Sequence, residues 1–452
     1  MTRYPTLHVE NFAGIRRADI ELAPLTLFVG DNNSGKTYLA TLIWGLDEVL
    51  SLFASVENAP SELHLLREWI NHDMNTQDRR NKSSLVISED IHNAIVNSFN
   101  EVLASSNWGA KWIQDIFQSE CISAGKFSIA IPFQAGNSIV LERGKDYHQC
   151  HFKRAGREIW STPAKVYDVA DTDVAAYMLN TGVLDILWNY VAYFLNIAPL
   201  RAKRSHFPDS RSGLLLTYRT VAGELLKGNH ADYKLTAPQM WLMAQLANGS
   251  TKEQTANQSV ATIVEFIESE KMIRGKVVVK ENGLNEYFYT PKELGQEIRM
   301  NLSSGVVTSL APFLAALKYG SIGNRCFIEE PEMSLHPELE WRMAQVLVRL
   351  ANSIGMVLAT THSATIIQHV NNMIKLSNRE DGRELAKEYG YEPEDIISSD
   401  MVRMYQFDVN ENDGMTGVKP LEHGVNGFAV PTFGYYLREL KDQIWAFQND
   451  AE

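Results

Sequence analysis

Residues 30–37 carry the sequence GDNNSGKT, which matches the phosphate-loop pattern G-x-x-x-x-G-K-[ST]. Glycines in such a loop let backbone N–H groups surround phosphate oxygens, and the following helix adds the positive end of its dipole. We expect Lys36 to reach the β- and γ-phosphates of a nucleotide and the Thr37 hydroxyl to bind Mg²⁺. The residues predicted to bind ATP in this loop are Gly30, Asn32, Asn33, Ser34, Gly35, Lys36 and Thr37.

Two adjacent carboxylates, Glu329 and Glu330, follow an apolar run that begins at Cys326. Phosphoryl transfer to water requires one carboxylate toward Mg²⁺ and a second group that orients or deprotonates the water. Successive side chains of a strand point in opposite directions, so we assign Glu329 to the metal side and Glu330 to the water, as the general base. A solvated strand end is the alternative, and the phosphate loop favours the functional interpretation.

His362 follows a second apolar run, residues 356–361, and lies 32 residues after Glu330 (362 − 330). That spacing leaves room for one helical crossover, and open α/β sheets place ligand groups at the carboxyl ends of their strands. We therefore expect His362 to contact the γ-phosphate or the attacking water.

Ser303, Ser304 and Gly305 precede an apolar helix that begins near Val306. Serine and glycine at a helix start are ordinary capping residues, and capping is the favoured interpretation of this segment taken alone. The same helix start is also a site where an anion can bind.

The elements that must position these residues lie at both ends of the chain. Residues 1–50 indicate strand, turn, strand and helix, with an apolar strand directly before Gly30 and apolar residues at helical spacing after Lys36. This context favours a true phosphate loop over a glycine-rich turn that carries Lys-Thr by chance. From residue 300 onward, helices and short apolar strands alternate, which predicts an α/β fold.

The spacing of apolar residues changes in the middle of the chain. Residues 51–120 and 212–272 show mainly helical spacing, and a helix is predicted over residues 172–195. Residues 126–160 change to a period of two, which predicts a small antiparallel meander. Asn282-Gly283 between two alternating runs predicts a β-hairpin.

Composition restricts the class of protein. The chain has 452 residues, of which 45% are hydrophobic and 21% are charged, as in ordinary globular proteins. The apolar run over residues 183–200 is interrupted by Asp185, Asn189 and Asn196, the N-terminus lacks a signal-peptide pattern, and three scattered cysteines fit a reducing compartment. We therefore expect a cytoplasmic protein without a membrane partner. The net charge of −13 excludes a protein that coats nucleic acid through bulk charge.

In this order, the motifs resemble the ABC-type ATPase superfamily, and specifically its soluble branch of SMC, RecF and overcoming-lysogenisation-defect (OLD) proteins. The opening stretch HVENFAGIRRADIELAPLTLFVGDNNSGKT is similar to the start of that branch. NLSSGVVTSLAPFLAALKYG resembles its signature helix, CFIEEPEMSLHPE its acidic motif with a modified D-loop, and VLATTHSATII its H-loop. IAPLRAKRS is similar to a segment of OLD-type ATPases.

The resemblance implies the fold of an ABC-type ATPase head, in which a mixed sheet carries the phosphate loop. It also implies a homodimer or higher oligomer in which two such heads enclose two nucleotides. Ser303, Ser304 and Gly305 would contact the γ-phosphate bound to the opposite subunit, and residues 334–336 would lie near the dimer seam. Glu330 would be the base and His362 the switch histidine. No Q-loop glutamine is assigned by the pattern, and Gln118 and Gln134 are the two candidates.

Three departures from related families refine the expected function. The signature lacks Gly-Gly-Gln, which argues against transport, and no long coiled coil follows the phosphate loop, which argues against chromosome tethering. The chain shows no acidic cluster of a fused nuclease after the head. The resemblance therefore implies an ATPase subunit that controls a separate nuclease or toxin in bacterial antiphage defence, as in Septu and retron systems. A RecF-like DNA-binding ATPase in repair or recombination is the alternative.

The resulting partition assigns residues 1–50 and 300–452 to the nucleotide-binding core. Residues 51–195 form a predicted helical and β-meander insertion, and residues 196–299 a helical and hairpin lobe that leads to the signature helix.

Two further clusters have competing interpretations. Arg201, Lys203, Arg204 and Arg211 form a local basic group in an acidic protein. The group is either a solvated loop or a surface that contacts the phosphate backbone of DNA or an acidic patch of a partner. His148, Cys150 and His151 suggest a metal, but the chain offers no second ligand pair at zinc spacing, which disfavours that interpretation.

Overall fold

The computed structural model describes residues 4–47, 68, 83–104, 106–119, 122, 125–143, 148–164, 189–195, 204–226, 235–253, 257–424 and 427–449. In chain order, the elements of the first part are β1 Thr6–Phe12, β2 Ile15–Glu21, β3 Leu25–Gly30, α1 Lys36–Trp44, β4 Ser83–Val86, α2 Glu89–Ala104, α3 Ser106–Phe117, β5 Lys126–Ala130, β6 Asn137–Arg143, β7 His148–Arg154, β8 Arg157–Ala164 and β9 Arg204–Phe207.

The elements that follow are α4 Arg211–Leu226, α5 Ala237–Asn248, α6 Gln258–Glu268, β10 Gly275–Asn282, β11 Leu284–Pro291, β12 Ile298–Arg299, α7 Gly305–Lys318, β13 Arg325–Glu329, α8 Pro337–Ser353, β14 Met356–Thr360, α9 Ala364–Ser377, α10 Gly382–Glu388, β15 Val402–Val409, β16 Thr416–Pro420, β17 His423–Gly424, β18 Gly427–Phe428 and α11 Pro431–Asn449.

A nine-stranded mixed sheet forms the centre of the fold, in the order β5-β1-β2-β16-β15-β3-β14-β13-β9. The run β15-β3-β14-β13-β9 is parallel, whereas β1 pairs antiparallel with β2 and β5. Every residue of β3, β13 and β14 is buried, as expected for parallel strands that are covered on both faces. The α/β fold class with a mixed sheet is confirmed.

Alternating side chains of the central strands belong to two separate hydrophobic cores. Phe28 and Phe327 face the core that contains α1, α2 and α3. Leu27 and Ile328 face the opposite core, to which α4–α9 contribute. The period of two therefore assigns each strand residue to one of two helical layers, and both layers are needed to cover the sheet.

The middle of the chain contributes more to the main sheet than predicted. The first run of the expected meander, β5, pairs with β1 and covers that edge of the sheet, and β9 extends the other edge. The meander instead consists of β6, β7 and β8, joined by β4 from a region expected to be helical. A strand can hydrogen-bond to any open edge, which local periodicity does not specify.

The hairpin and several helices that the sequence predicts for the middle of the chain are present in the structure. The β10–β11 hairpin is confirmed, with Gly283 at a φ of 70° between paired Asn282 and Leu284. The helices predicted over residues 212–272 are α4, α5 and α6. Of the helix predicted over residues 172–195, only residues 189–195 are described, and residues 189–194 are helical. Within the described ranges, no helix combines the length and apolar character that a membrane span requires.

The polar segment after α9 is held against α8 by a buried network of charged side chains. Asp395 is fully buried and accepts hydrogen bonds from Arg349 Nε at 2.6 Å and from Gln345 Nε2 at 2.6 Å. Glu392 binds the same arginine through Nη2 at 2.8 Å. The segment is therefore part of the packed structure, because its carboxylates have partners on α8.

Beside this network, the surroundings of His369 lower its pKa. Its ring stacks on Trp341 with centroids 5.1 Å apart, and its Nδ1 lies 2.6 Å from the Tyr391 hydroxyl. Burial, together with the charge of Arg342, lowers the pKa of His369 from 6.5 to about 4. The neutral ring is thus the form that the folded state prefers.

We predict that His369→Gln reduces the loss of stability on acidification. The histidine of the unfolded chain binds a proton near pH 6.5, whereas that of the folded chain binds one near pH 4. The contribution of the neutral His369 ring to the free energy of unfolding is therefore fully present above pH 6.5 and is lost as the pH falls toward 4. The effect should be about 1–2 kcal/mol, after discounting for partial exposure. Urea unfolding of both proteins at pH 7 and pH 4.5 measures it. Equal losses in both proteins would contradict the assignment.

Candidate functional site

The phosphate loop leaves β3 in a conformation that its glycines permit. Gly30 has a φ of 125°, and a Cβ built there would lie 2.2 Å from the Phe407 carbonyl oxygen of β15. Asp31 donates its N–H to that same oxygen at 3.2 Å, and its side chain accepts from Val409 N at 3.3 Å. Gly35 has a φ of 86° and lies directly before α1. Close packing against β15 therefore requires glycine at position 30.

Lys36 lies inside the curve of this loop. Its Nζ donates to the carbonyl oxygens of Gly30 at 3.2 Å and Asp31 at 2.5 Å, and lies 3.3 Å from Ser34 Oγ. Burial lowers the pKa of Lys36, and the neighbouring carboxylates of Glu330, Asp31 and Glu332 oppose that shift. The ammonium group is thus surrounded by oxygen atoms for which phosphate oxygens can substitute.

The other predicted loop residues differ in exposure. Asn32, Asn33 and Thr37 are exposed, and the Thr37 side chain stands at the first turn of α1. Ser34 is buried and donates its hydroxyl to the Asp31 carbonyl at 2.7 Å. Ser34 therefore shapes the loop, while the exposed side chains are accessible to a ligand.

Glu330 and His362 lie together at the ends of two neighbouring strands. His362 Nε2 is 4.0 Å from Glu330 Oε1, and both side chains are partly exposed. Burial, with the charges of Asp209 and Glu329, raises the pKa of Glu330, whereas Lys36 lowers it. Burial and the charge of Lys36 lower the pKa of His362. Both shifts favour the neutral forms, and both groups interact electrostatically with Lys36.

Glu329 has a different environment from Glu330. Its side chain is buried, and Oε1 lies 2.8 Å from Nε2 of the fully buried His206 on β9. Its Oε2 accepts from Asp209 N at 3.3 Å. The two adjacent carboxylates diverge, as predicted. The assignment of Glu329 to Mg²⁺ stays a prediction.

Sequence reasoning missed Glu332, which holds the strand end that carries His362. Its Oε1 accepts from His362 N at 2.6 Å, and its Oε2 accepts from Thr361 Oγ1 at 2.9 Å. Burial raises the pKa of Glu332, and these hydrogen bonds oppose that shift. Because its partners lie about 30 residues away in the chain, no local pattern indicates this role.

The start of the predicted signature helix, α7, faces outward. Ser304 is its N-cap, and Ser304 Oγ accepts from Val307 N at 3.4 Å, which confirms the capping interpretation. Ser303 and Gly305 flank this cap, and a Cβ built at Gly305 would lie 3.6 Å from Ser334 Cβ. The preceding Leu302 is 72% exposed, although it is a large apolar residue. Contact of this helix start with a nucleotide stays a prediction.

The structure describes two members of the basic cluster, Arg204 and Arg211, and both contact groups within the fold. Arg204 stacks on the Trp44 ring at 3.9 Å and pairs with Asp47 at 3.6 Å. Arg211 is 2% exposed. Both the solvated-loop and the DNA interpretations are therefore wrong for Arg211, because the fold encloses its charge. Arg201 and Lys203 lie outside the described residues.

The remaining candidate residues differ in their hydrogen-bond partners. Gln118 donates its side-chain amide to the Asp115 carbonyl at 2.7 Å, and Gln134 has a buried Oε1 without a hydrogen-bond partner. His151 lies between Glu142, at 3.3 Å, and Glu158, at 3.0 Å. Across the described parts of the chain, no group of three or more His, Cys, Asp or Glu side chains could hold a metal.

Comparisons with known proteins give structural neighbours alone. No protein-family model and no curated protein match this chain. A solved SMC head bound to the C-winged helix domain of ScpA is 11% identical, with a TM-score of 0.37, over 93% of this chain and 98% of that chain.

Two further SMC head structures give similar values. The head domain from Thermotoga maritima is 10% identical over 93% of this chain and 100% of that one, with a TM-score of 0.32. A Pyrococcus furiosus head with an extended coiled coil, bound to the C-terminal domain of ScpA, is 10% identical over 97% and 99%, with a TM-score of 0.36. Identities and TM-scores this low assign no activity to the chain.

We predict that Lys36→Ala weakens ATP binding by about 100-fold, because it removes the charged donor from the loop. Isothermal titration calorimetry with ATP measures the effect. Lys292→Ala is the matched control, since Lys292 is exposed and pairs with Glu270 on the surface. Equal affinity of Lys36→Ala and the control would contradict the phosphate-loop assignment.

Proposed function

We propose that this chain binds and hydrolyses ATP. The observation that carries the proposal is the convergence of Lys36, Glu330 and His362, which three separate segments place at one edge of the sheet. Phosphoryl transfer to water needs a cation that binds the phosphates and a group that orients or deprotonates the water. Lys36 can supply the cation, and Glu330 and His362 lie close enough to act on the water.

The site fits Mg²⁺ as part of a nucleotide complex. This ion keeps several waters and binds one or two protein oxygens plus substrate phosphates, so it does not require a cluster of protein ligands. The exposed Thr37 hydroxyl and the Glu329 carboxylate are oxygen donors of the preferred kind. When bound, Mg²⁺ would neutralise charge on the phosphates.

Glu330 is the proposed general base. Its ionised carboxylate would accept a proton from water as the water oxygen bonds to the γ-phosphorus and the bond to the β–γ bridging oxygen breaks, giving ADP and phosphate. A raised pKa makes this carboxylate a better proton acceptor. His362, whose pKa is lowered, would act as a neutral hydrogen-bonding partner of the γ-phosphate or the water.

We further propose that the working unit is a homodimer with ATP between two heads. Gly305, which directly follows Ser303 and Ser304, lies beside Ser334, and the preceding Leu302 is exposed. An exposed leucine at a helix start that can bind an anion supports coverage by a second copy whose phosphate loop carries ATP.

The proposed biological role is control of a separate nuclease or toxin subunit in bacterial antiphage defence. Its support is the sequence resemblance to ATPase subunits of such systems. The RecF-like alternative rests on the similarity of the opening sequence and on the Arg201–Arg211 cluster, of which Arg211 is buried.

We predict that Glu330→Gln retains ATP binding but hydrolyses ATP about 100- to 10,000-fold more slowly, as expected for loss of a general base. Glu338→Gln is the matched control, because Glu338 is an exposed carboxylate in the first turn of α8. Phosphate release gives the rate, and calorimetry gives the affinity. Hydrolysis by Glu330→Gln at the wild-type rate would contradict the proposed base.

The same variant tests the dimer. Slow hydrolysis should trap Glu330→Gln as an ATP-dependent dimer, measured by size-exclusion chromatography with light scattering. Adding Leu302→Asp should abolish the dimer, because it places a charge in the proposed interface. Leu294→Asp is the control, at a leucine that is 66% exposed elsewhere. Dimer loss with both substitutions, or with neither, would contradict this interface.

We predict that the tagged chain, expressed from its native operon, co-purifies with one stoichiometric nuclease or toxin-like protein, and that the amount retained differs between ATP and ADP. Mass spectrometry of the purified complex checks this. Purification of the chain alone in both nucleotide states would contradict the effector-control role and leave the ATPase proposal intact.

A further inference from the structure

Arg211, the first residue of α4, is a buried cation whose hydrogen bonds all reach protein groups. Its Nη1 donates to the Glu329 carbonyl at 2.7 Å and to the Pro208 carbonyl at 3.3 Å. Its Nη2 donates to the Glu330 carbonyl at 2.9 Å. Its Nε and Nη2 donate to the carbonyl and hydroxyl oxygens of Ser309 at 3.1 and 3.0 Å.

These bonds explain how a guanidinium group is tolerated inside the protein. A buried charge is costly unless it is hydrogen-bonded, and five donor contacts meet that requirement. Burial lowers the pKa of Arg211 to about 10, opposed by the nearby carboxylates of Glu332, Glu329, Asp209 and Glu330. The group therefore stays charged at neutral pH.

One end of the arginine fork holds the backbone around Glu330. Glu330 has a φ of 42°, a left-handed conformation that costs a non-glycine residue about 1–3 kcal/mol. The peptide before it is held at both ends, since Arg211 binds the Glu329 carbonyl and Thr360 O accepts from Glu330 N at 2.9 Å. The direction of the Glu330 side chain thus depends on these contacts.

The other end of the fork holds α7. Ser309 lies about one turn after the helix start at Ser304 and Gly305. Ser309 Oγ also donates to the Met333 carbonyl at 3.1 Å, in the loop that contains Ser334. A displacement of α7 along its axis would therefore act on both Arg211 and the segment that carries Glu330.

We propose that Arg211 is a positioning residue that transmits the position of α7 to Glu330. This inference rests on the proposed function. When α7 contacts the nucleotide held mainly by the second copy, Arg211 would align the Glu330 carboxylate in its own chain. Each nucleotide would then report to the hydrolytic base of the other site through Ser309, Arg211 and the backbone of Glu330.

Ser309→Ala and Arg211→Lys test this proposal in the full chain. Ser309→Ala removes the hydroxyl contacts and leaves the α7 backbone, and Arg211→Lys keeps the charge but loses the fork. Each should lower kcat for ATP hydrolysis by about 10- to 100-fold, as expected for a misplaced base, while KM and the calorimetric affinity for ATP stay within about 2-fold. Arg211→Met should lower kcat further than Arg211→Lys.

Arg349→Lys is the matched control, because Arg349 is another buried, hydrogen-bonded arginine, and its partners Asp395 and Glu392 lie in a separate network. It should lower the unfolding temperature without lowering kcat at a temperature where it is folded. If Arg211→Met does not fold, Ser309→Ala and Arg211→Lys decide the question.

Failure of the positioning role and failure of the proposed ATPase function would give different results. Wild-type levels of kcat in both Ser309→Ala and Arg211→Lys, or a rise in KM at unchanged kcat, would overturn the positioning role and leave the ATPase proposal standing. A wild-type chain that binds no ATP, or binds but does not hydrolyse it under dimer-forming conditions, would overturn the proposed function and this inference with it.

Discussion

Parallel pairing of three strands determines where chemistry can occur in this protein. The register of β13, β14 and β3 aligns Glu329, Thr360 and Phe28 across the sheet. The segments that follow these positions therefore leave the sheet side by side at the carboxyl ends of the strands, and Glu330, His362 and the phosphate loop meet there. Two hydrophobic cores hold the strands from opposite faces, so a site assembled from distant parts of the chain has a rigid base.

The site concentrates charge that the fold must compensate. Four carboxylates, those of Asp209, Glu329, Glu330 and Glu332, lie close enough to Arg211 to influence its pKa. Glu329 and Glu332 have hydrogen-bond donors that fix their direction, whereas Glu330 stays partly exposed. The structure thus separates carboxylates whose direction is fixed by hydrogen bonds from one that is accessible for proton transfer.

The sequence predicted the parts of the site that depend on local spacing. The glycines of the phosphate loop, the two carboxylates and the histidine lie at or just after the ends of the buried strands β3, β13 and β14, and strand ends can be recognised from apolar runs. The same reasoning located the β10–β11 hairpin, because Asn-Gly is a local turn signal.

Contacts between distant segments could not be predicted in this way. β5 and β9 are short strands whose partners are sheet edges contributed by other parts of the chain, and a period of two does not identify an edge. The burial of Arg211 could not be predicted for the same reason, because its hydrogen-bond partners Ser309, Glu329 and Glu330 lie about 100 residues or more away in the chain. A sequence cluster of basic residues therefore predicted surface charge where the fold places a buried cation.

The central claim is that hydrolysis requires two copies of the chain. The most direct measurement is the ATP turnover per chain at saturating ATP and Mg²⁺ over a wide range of protein concentration, with oligomeric state followed by light scattering. The account predicts that turnover per chain rises from near zero to a plateau as dimers form. A constant turnover per chain at concentrations where the protein is monomeric would contradict it.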